Sequence, residues 1–193
     1  AGCYLLEKGV RVVALQIGPL EQASPLCQKQ GNRFLQLGGS FVDRFSSLAS
    51  VSLLLDGFFG TGFRGAPQQP YADLIHTANA SGKPILAIDI PSGLNGTTGE
   101  VESVAIRATA TLFIEFPKRG FFLGKGWEQV GDLQRIPLSL PASLHDQLPN
   151  QFQLITSDLC KTLLPSLSRS RHKYQSGYVA GLAGSVGMEG AAT

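Results

Sequence analysis

The sequence predicts an α/β domain built on an open, mainly parallel sheet with helices on both faces. Two observations carry this. Residues 51–55, apart from Ser52, and 84–88 are continuously apolar rather than alternating, as strands buried on both faces are, and each run leads directly into an aspartate. Between them lies a helical segment from about Tyr71 to Ala80, and short loops join strand to helix to strand.

Taken in order, residues 1–9 read as the end of a helix, with Tyr4, Leu5 and Leu6 followed by Gly9 just past the C-terminus. A chain that opens on the last turns of a helix is expected to continue upstream. The β-branched run Val10, Val12, Val13 predicts a strand over residues 10–17. The strand at 51–55 ends at Asp56. A Gly- and Pro-rich loop covers 57–70, where Pro67 and Pro70 hold off any helix until Tyr71. Ser81-Gly82-Lys83-Pro84 ends that helix, and the second buried strand runs into Asp89. Residues 108–116 and 131–136 predict two further strands. These elements make a first domain over residues 1–137. Residues 138–150 turn polar and Pro-punctuated, as a linker does, and 151–193 open a second domain. There a short helix is expected at 157–164, then a basic stretch, then Gly177-Tyr178-Val179-Ala180 as a strand running into a glycine loop where the sequence stops.

Composition excludes several classes. With 43% hydrophobic residues over 193 positions, a sizeable core is available. The net charge of +2 is small and dispersed, giving no reason to propose nucleic acid as a partner; Arg169, Arg171, His172 and Lys173 read as a solvated segment beside a domain boundary. Cys3, Cys27 and Cys160 are odd in number, far apart and without a CxxC pair, which argues against a disulfide framework or a zinc site and suits a reducing compartment. No apolar run approaches the roughly 18 residues of a membrane span. Glu7, Lys8 and Arg11 interrupt the early apolar residues, so no signal peptide is expected. The cytoplasm is the default location.

Two motifs carry chemistry. Gly60-Thr61-Gly62-Phe63-Arg64-Gly65 follows a strand and matches G-x-G-x-x-G, and Asp89 follows at about the 20-residue interval at which a dinucleotide-binding fold places its ribose acid. That spacing admits a Rossmann-type oxidoreductase. The prolines at 67 and 70 count against it, because the fingerprint needs a helix that opens at the loop. A glycine loop can still offer backbone N–H groups to a phosphate, or it can be an inert connection. The second motif is Asp89-Ile90-Pro91-Ser92-Gly93-Leu94-Asn95. A carboxylate and a hydroxyl close together at a strand end are oxygen ligands of the kind hard cations take, and Asp56 on the adjacent strand adds another. The plainer alternative is that Asp89 and Ser92 cap the loop. In a parallel sheet both aspartates are expected at one edge, where ligands bind. His76 and His145 read as structural or solvated, and Trp127, Phe121 and Phe122 as packing against the sheet.

In combination these segments resemble a known family. Residues 56–65, then Ile88-Asp89-Ile90-Pro91-Ser92-Gly93-Leu94-Asn95, then 109–120 with Pro117-Lys118-Arg119-Gly120, are similar in order and approximate spacing to the signatures of the NAD(P)H-hydrate epimerases. The tail resembles the start of their frequent fusion partner, the ribokinase-like ADP-dependent NAD(P)H-hydrate dehydratase, through His172-Lys173, Gly177-Tyr178-Val179 and Gly184-Ser185-Val186-Gly187-Met188-Glu189-Gly190-Ala191. The resemblance is therefore to a fragment: most of a Rossmann-like epimerase domain joined to the opening of a ribokinase-like domain. The family's Asn-Asn-Gly-Gly-Asp loop, expected just before Ala1, is absent, Asn95 stands where the family has aspartate, and the glycine after Lys173 is missing.

The resemblance implies that Asp56 and Ser92 bind a potassium ion. It implies that Gly60, Thr61, Gly62, Phe63, Arg64, Gly65 and Ala66 contact hydrated NADH or NADPH and that Asp89 binds the substrate beside its reacting ring; Tyr71 either lines that pocket or serves as a core residue at the helix start. Asp89 is the expected acid/base group and Lys118 the second candidate. The dehydratase part implies ADP or ATP, with Ala191 among the binding residues. The implied partner is this small molecule, with neither nucleic acid nor membrane, and a homo-oligomer is compatible with it. Without the upstream loop the chain alone is expected to show little activity. A dehydrogenase and a non-catalytic epimerase-like module remain as alternatives, the second disfavoured by the presence of both Asp56 and Asp89.

Overall fold

A computed structural model of the chain describes all residues except 44, 46–49, 142, 145–151, 166–167, 179, 182–183, 188–189 and 191–193. His145, Val179 and Ala191 lie outside the described residues. The chain forms two compact units, Ala1–Leu148 and Pro149–Thr193.

Among its described residues the first unit holds six strands, all pairing in parallel. Strands β1 (Val13–Leu15) and β2 (Ser40–Val42) form one sheet, and β3 (Leu54–Asp56), β4 (Ile85–Ile88), β5 (Ala110–Ile114) and β6 (Asp132–Ile136) form a second, in the order β3-β4-β5-β6. Helix α1 (Gly2–Glu7) ends with Gly9 at φ +78, the left-handed backbone that a glycine just past a helix tolerates. The strand expected over 10–17 shortens to β1. Between Ile17 and Val51 the sequence predicts no element, yet helix α2 (Pro25–Gln36) forms there, capped by the Ser24 hydroxyl accepting the Cys27 N–H and opened by proline in the first turn.

Helix α3 (Tyr71–Ala80) starts where the prolines place it. Its Ile75 and Ala78 pack on Ile85 of β4 and on Val104 and Ile106, with Phe58 and Phe59 beside them. A second cluster joins Ile90, Leu94, Ala105, Phe113 of β5, Phe121 and Val130, the last from helix α4 (Gly126–Val130). Phe121 is fully buried, as expected. Trp127 is not packed against the sheet: it is 59% exposed and meets only the edge of the Phe122 ring, because α4 turns it outward.

Strand β3 also departs from expectation. Its apolar run predicts burial on both faces, but Leu53 and Leu55 are 43% and 40% exposed. Leu53 and Leu55 alternate onto the face opposite Leu54, which packs under α3; among the described residues β4 alone pairs with β3, so one edge of this strand is open as well. An apolar edge with unpaired N–H and C=O groups templates association with another chain. The chain is therefore expected to self-associate, and Leu55→Lys to shift it toward monomer in sedimentation velocity. A monomeric parent at its highest soluble concentration would remove this role from the edge.

The second unit contains helix α5 (Ser157–Leu163), capped by the Thr156 hydroxyl accepting the Leu159 N–H, and a 3-10 turn, Lys173–Ser176. The strand expected at 177–180 includes Val179 and so lies partly outside the described residues. Of its described residues, Tyr178 is 82% exposed.

Candidate active site

Three successive strands end in, or run directly into, an acid, and each carboxylate accepts a backbone N–H from the last residue of the next strand or from the segment after it. Asp56 closes β3 and lies opposite Ala87, two residues before Asp89, so both aspartates sit at the carboxyl edge of one parallel sheet. Asp56 is 3% exposed. Its Oδ2 accepts the Ser92 N–H at 2.7 Å, and its Oδ1 accepts the Ser92 hydroxyl at 2.6 Å and the Phe58 N–H at 3.4 Å. The same hydroxyl accepts the Phe59 N–H at 3.1 Å, so Ser92 binds together β3, the loop after it and its own turn.

Burial pushes the Asp56 carboxyl above its ordinary value of 3.8, against the opposing effect of the hydrogen bonds from the Ser92 side chain, the Ser92 amide and the Phe58 amide. Between 3.8 and its raised folded value the native state holds a proton that the unfolded chain has released. Stability is therefore lost as pH rises through that window, and the ionised carboxylate remains a cost above it. Among the described residues no lysine or arginine pairs with Asp56.

Asp89 follows β4 with φ +69, a left-handed conformation that aspartate and asparagine tolerate better than most residues. The Ile90 N–H bonds to the Ile88 carbonyl across it at 2.9 Å, closing a γ-turn. Asp89 Oδ1 accepts the Ile114 N–H at 3.1 Å and forms an ion pair with Lys118. The two acid/base candidates of the sequence thus meet in one pair, with Lys118 Nζ also 3.4 Å from the Ile114 carbonyl and 3.3 Å from that of Phe116.

The third acid, Glu115, is absent from the sequence-level candidates. It follows β5, is 4% exposed, pairs with Arg135 and accepts the Leu138 N–H at 2.5 Å. The signal was available: an acid at the end of an apolar strand is the pattern that singles out Asp56 and Asp89.

The glycine loop lies between Asp56 and α3. The Phe63 N–H bonds to the Gly60 carbonyl at 3.1 Å, and no protein acceptor takes the N–H groups of Thr61, Gly62, Arg64 and Gly65 among the described residues. Arg64 does not reach the carboxylates; its guanidinium donates to the carbonyls of Thr61 and Phe63. Phe63 stacks on Phe59 at 4.3 Å, and Tyr71 leans against Phe59 and Phe58. The tight loop-to-helix entry of a Rossmann fingerprint is missing, because the next helix starts only at Tyr71. Asn95 organises the following turn, its side-chain oxygen accepting the N–H groups of Thr97 and Thr98.

With this geometry in view, the chain has clear relatives. Residues 1–120 match the family model described as YjeF-related protein N-terminus. A bifunctional NAD(P)H-hydrate repair enzyme of Moorella thermoacetica is 34% identical over 199 residues, a match covering 98% of this chain and 38% of that protein. An NAD(P)H-hydrate epimerase of Weissella koreensis is 32% identical over 147 residues, covering 75% of this chain and 66% of that protein. The crystal structure of yeast ynu0, YNL200c, superposes with a TM-score of 0.64 at 12% identity, over 82% of this chain and 68% of that one, which shows a shared fold. The chain spans 38% of the length of the Moorella enzyme and 36% of that of a second bifunctional repair enzyme, from Synechocystis, each of which matches nearly all of it.

Proposed function

The chain belongs to the YjeF-related protein N-terminus family, and from that membership and the strand-end geometry we propose that it carries the epimerase centre of an NAD(P)H-hydrate repair enzyme. The observation that carries this is the Asp89–Lys118 pair at the mouth of the sheet, beside a glycine loop with free backbone donors. The substrate is hydrated NADH or NADPH. Loop amides over residues 60–66 receive its phosphates and Tyr71 borders the pocket.

Epimerisation breaks the carbon–oxygen bond at the hydrated ring carbon. A proton goes to the departing hydroxyl, water leaves, and an iminium-like ring remains. Water then adds to the other face and returns the proton. The reaction needs one acid/base group within about 3 Å of that oxygen. Asp89 serves as that group: the proton it passes to the hydroxyl comes across its ion pair from the Lys118 ammonium, and the carboxylate then faces the developing positive charge and takes the proton back from the adding water. The assay starts from the pure R hydrate and follows the S form chromatographically, with the chain extended to the length of its relatives. No interconversion would sink the reading.

Asp56 and Ser92 fit a potassium ion. They offer adjacent carboxylate and hydroxyl oxygens, and the buried carboxylate faces no described cationic side chain. Among the described residues no group of three or more His, Cys, Asp or Glu is placed to hold a metal, so one carboxylate, one hydroxyl and neutral oxygens would hold this ion. When bound, it supplies positive charge beside the phosphate loop. Two results are expected. Potassium chloride raises the melting temperature of the parent chain at pH 7 above its value in choline chloride of equal ionic strength, and leaves Asp56→Asn unmoved. Without potassium, the parent loses stability relative to Asp56→Asn as pH rises through the Asp56 titration. Equal salt responses in both chains would separate Asp56 from cation binding.

We assign residues 1–137 to the epimerase domain, 138–150 to a linker and 151–193 to the opening of an ADP-dependent dehydratase, where ADP or ATP and Ala191 belong. No helix among the described residues is long and apolar enough to cross a membrane; a cytoplasmic site of action is part of this proposal.

A further inference from the structure

Asp89 and Lys118 leave one buried acid at the same sheet edge without a role. Glu115 stands at φ +56, a left-handed backbone in which glutamate is unfavourable, and the Phe116 N–H closes a γ-turn across it to the Ile114 carbonyl at 2.7 Å. A residue held in such backbone persists only where its surroundings fix it. Here the anchors are on and beyond β6. The carboxylate takes the Arg135 guanidinium and the Leu138 N–H, and the Glu115 N–H donates to the Ile136 carbonyl at 2.9 Å.

The residues on either side of this turn hold the reacting pair. Ile114 donates its N–H to Asp89, and the carbonyls of Ile114 and Phe116 both approach Lys118 Nζ. Together with Asp89 Oδ1 they make three acceptors for the three N–H bonds of an ammonium. An ordinary strand continuation through residue 115 would carry Phe116 away from this cradle. We propose that Glu115, anchored by Arg135, is a positioning residue for the epimerase reaction: its locked left-handed turn sets the carbonyl cradle that aims Lys118 at Asp89. The inference rests on the reading that Asp89 and Lys118 carry the chemistry.

The test uses Glu115→Gln and Glu115→Gly. Glutamine keeps the size but turns an amide N–H toward either Arg135 or the Leu138 N–H, so one anchor becomes donor against donor. Glycine accepts the backbone without strain and removes both side-chain anchors, leaving the N–H bond to the Ile136 carbonyl. Misplacing a reacting group by about 1 Å costs about 10²-fold. Each variant should therefore lose about 10- to 100-fold in kcat, with KM within about threefold of the parent, since the substrate contacts are untouched. In this chain itself, acylation of Lys118 read by peptide mass spectrometry, relative to exposed Lys125, should rise as the cradle loosens. Parent kcat, or a fall in kcat with unchanged Lys118 acylation, would overturn the proposal. Glu115→Gln decides alone if Glu115→Gly does not fold. If the extended parent chain does not interconvert the hydrates, the epimerase reading fails, and Lys118 acylation then decides the cradle by itself.

Discussion

Asp89→Asn is expected to leave the fold intact and to slow interconversion of the R and S hydrates by about 10² to 10⁴-fold. Both halves follow from the same turn. Asp89 sits at φ +69, where asparagine is among the few side chains at ease, so the backbone gains no strain. The amide oxygen can still accept the Ile114 N–H now bound to Asp89 Oδ1. What is lost is the negative charge facing Lys118 and the capacity to take and return a proton. Circular dichroism and a melting curve check the fold, and chromatography from pure R hydrate checks the rate. A variant that turns over at the parent rate would move the chemistry to Lys118.

Gly93→Ala is expected to be the most damaging small substitution in the site. A Cβ at this position would lie 2.2 Å from the Val104 carbonyl oxygen and 2.8 Å from Ala105 Cα, both backbone atoms, and the residue stands at φ +92. Left-handed backbone costs an alanine about 1–2 kcal/mol, and forcing a methyl into packed structure costs about 1–3 more. The total is a large share of the roughly 5–15 kcal/mol that holds a domain together. Because the buried Ile106 N–H bonds to the Ser92 carbonyl at 2.9 Å, a shift here also moves the Ser92 hydroxyl off Asp56. In urea the midpoint should fall by on the order of 1 M. Gly60→Ala is the control: nothing lies within 4 Å of its added methyl, so stability should stay within about 0.5 kcal/mol. If Gly93→Ala unfolds at the parent midpoint, the close approach to residues 104–105 is not a constraint on this turn.

Much of this molecule is legible in the sequence because local rules decide it. Pro67 and Pro70 set the start of α3 at Tyr71. The apolar runs before Asp56 and Asp89 mark parallel strands whose ends form one edge. Ser24-Pro25 was an equally local signal for α2, yet its helix is polar overall, with only Phe34 buried, so it does not stand out in the sequence as an apolar segment.

The partnerships within the site are of another kind. Ser92 meets Asp56 across 36 positions of chain, Lys118 meets Asp89 across 29, and Arg135 meets Glu115 across 20. Sequence names most of the members but not the pairs, since the register of three parallel strands determines which loop lies over which strand end. The exposure of Leu53, Leu55 and Trp127 likewise depends on which neighbours are present, a property of the assembled sheet. The sequence by itself determined the strand ends, the acids on them and the delayed helix, because backbone preferences act within a few residues. Only the tertiary structure decided that Lys118 serves Asp89, that Ser92 serves Asp56 and that Glu115 belongs beside them, because contacts between distant residues are fixed by strand register and packing.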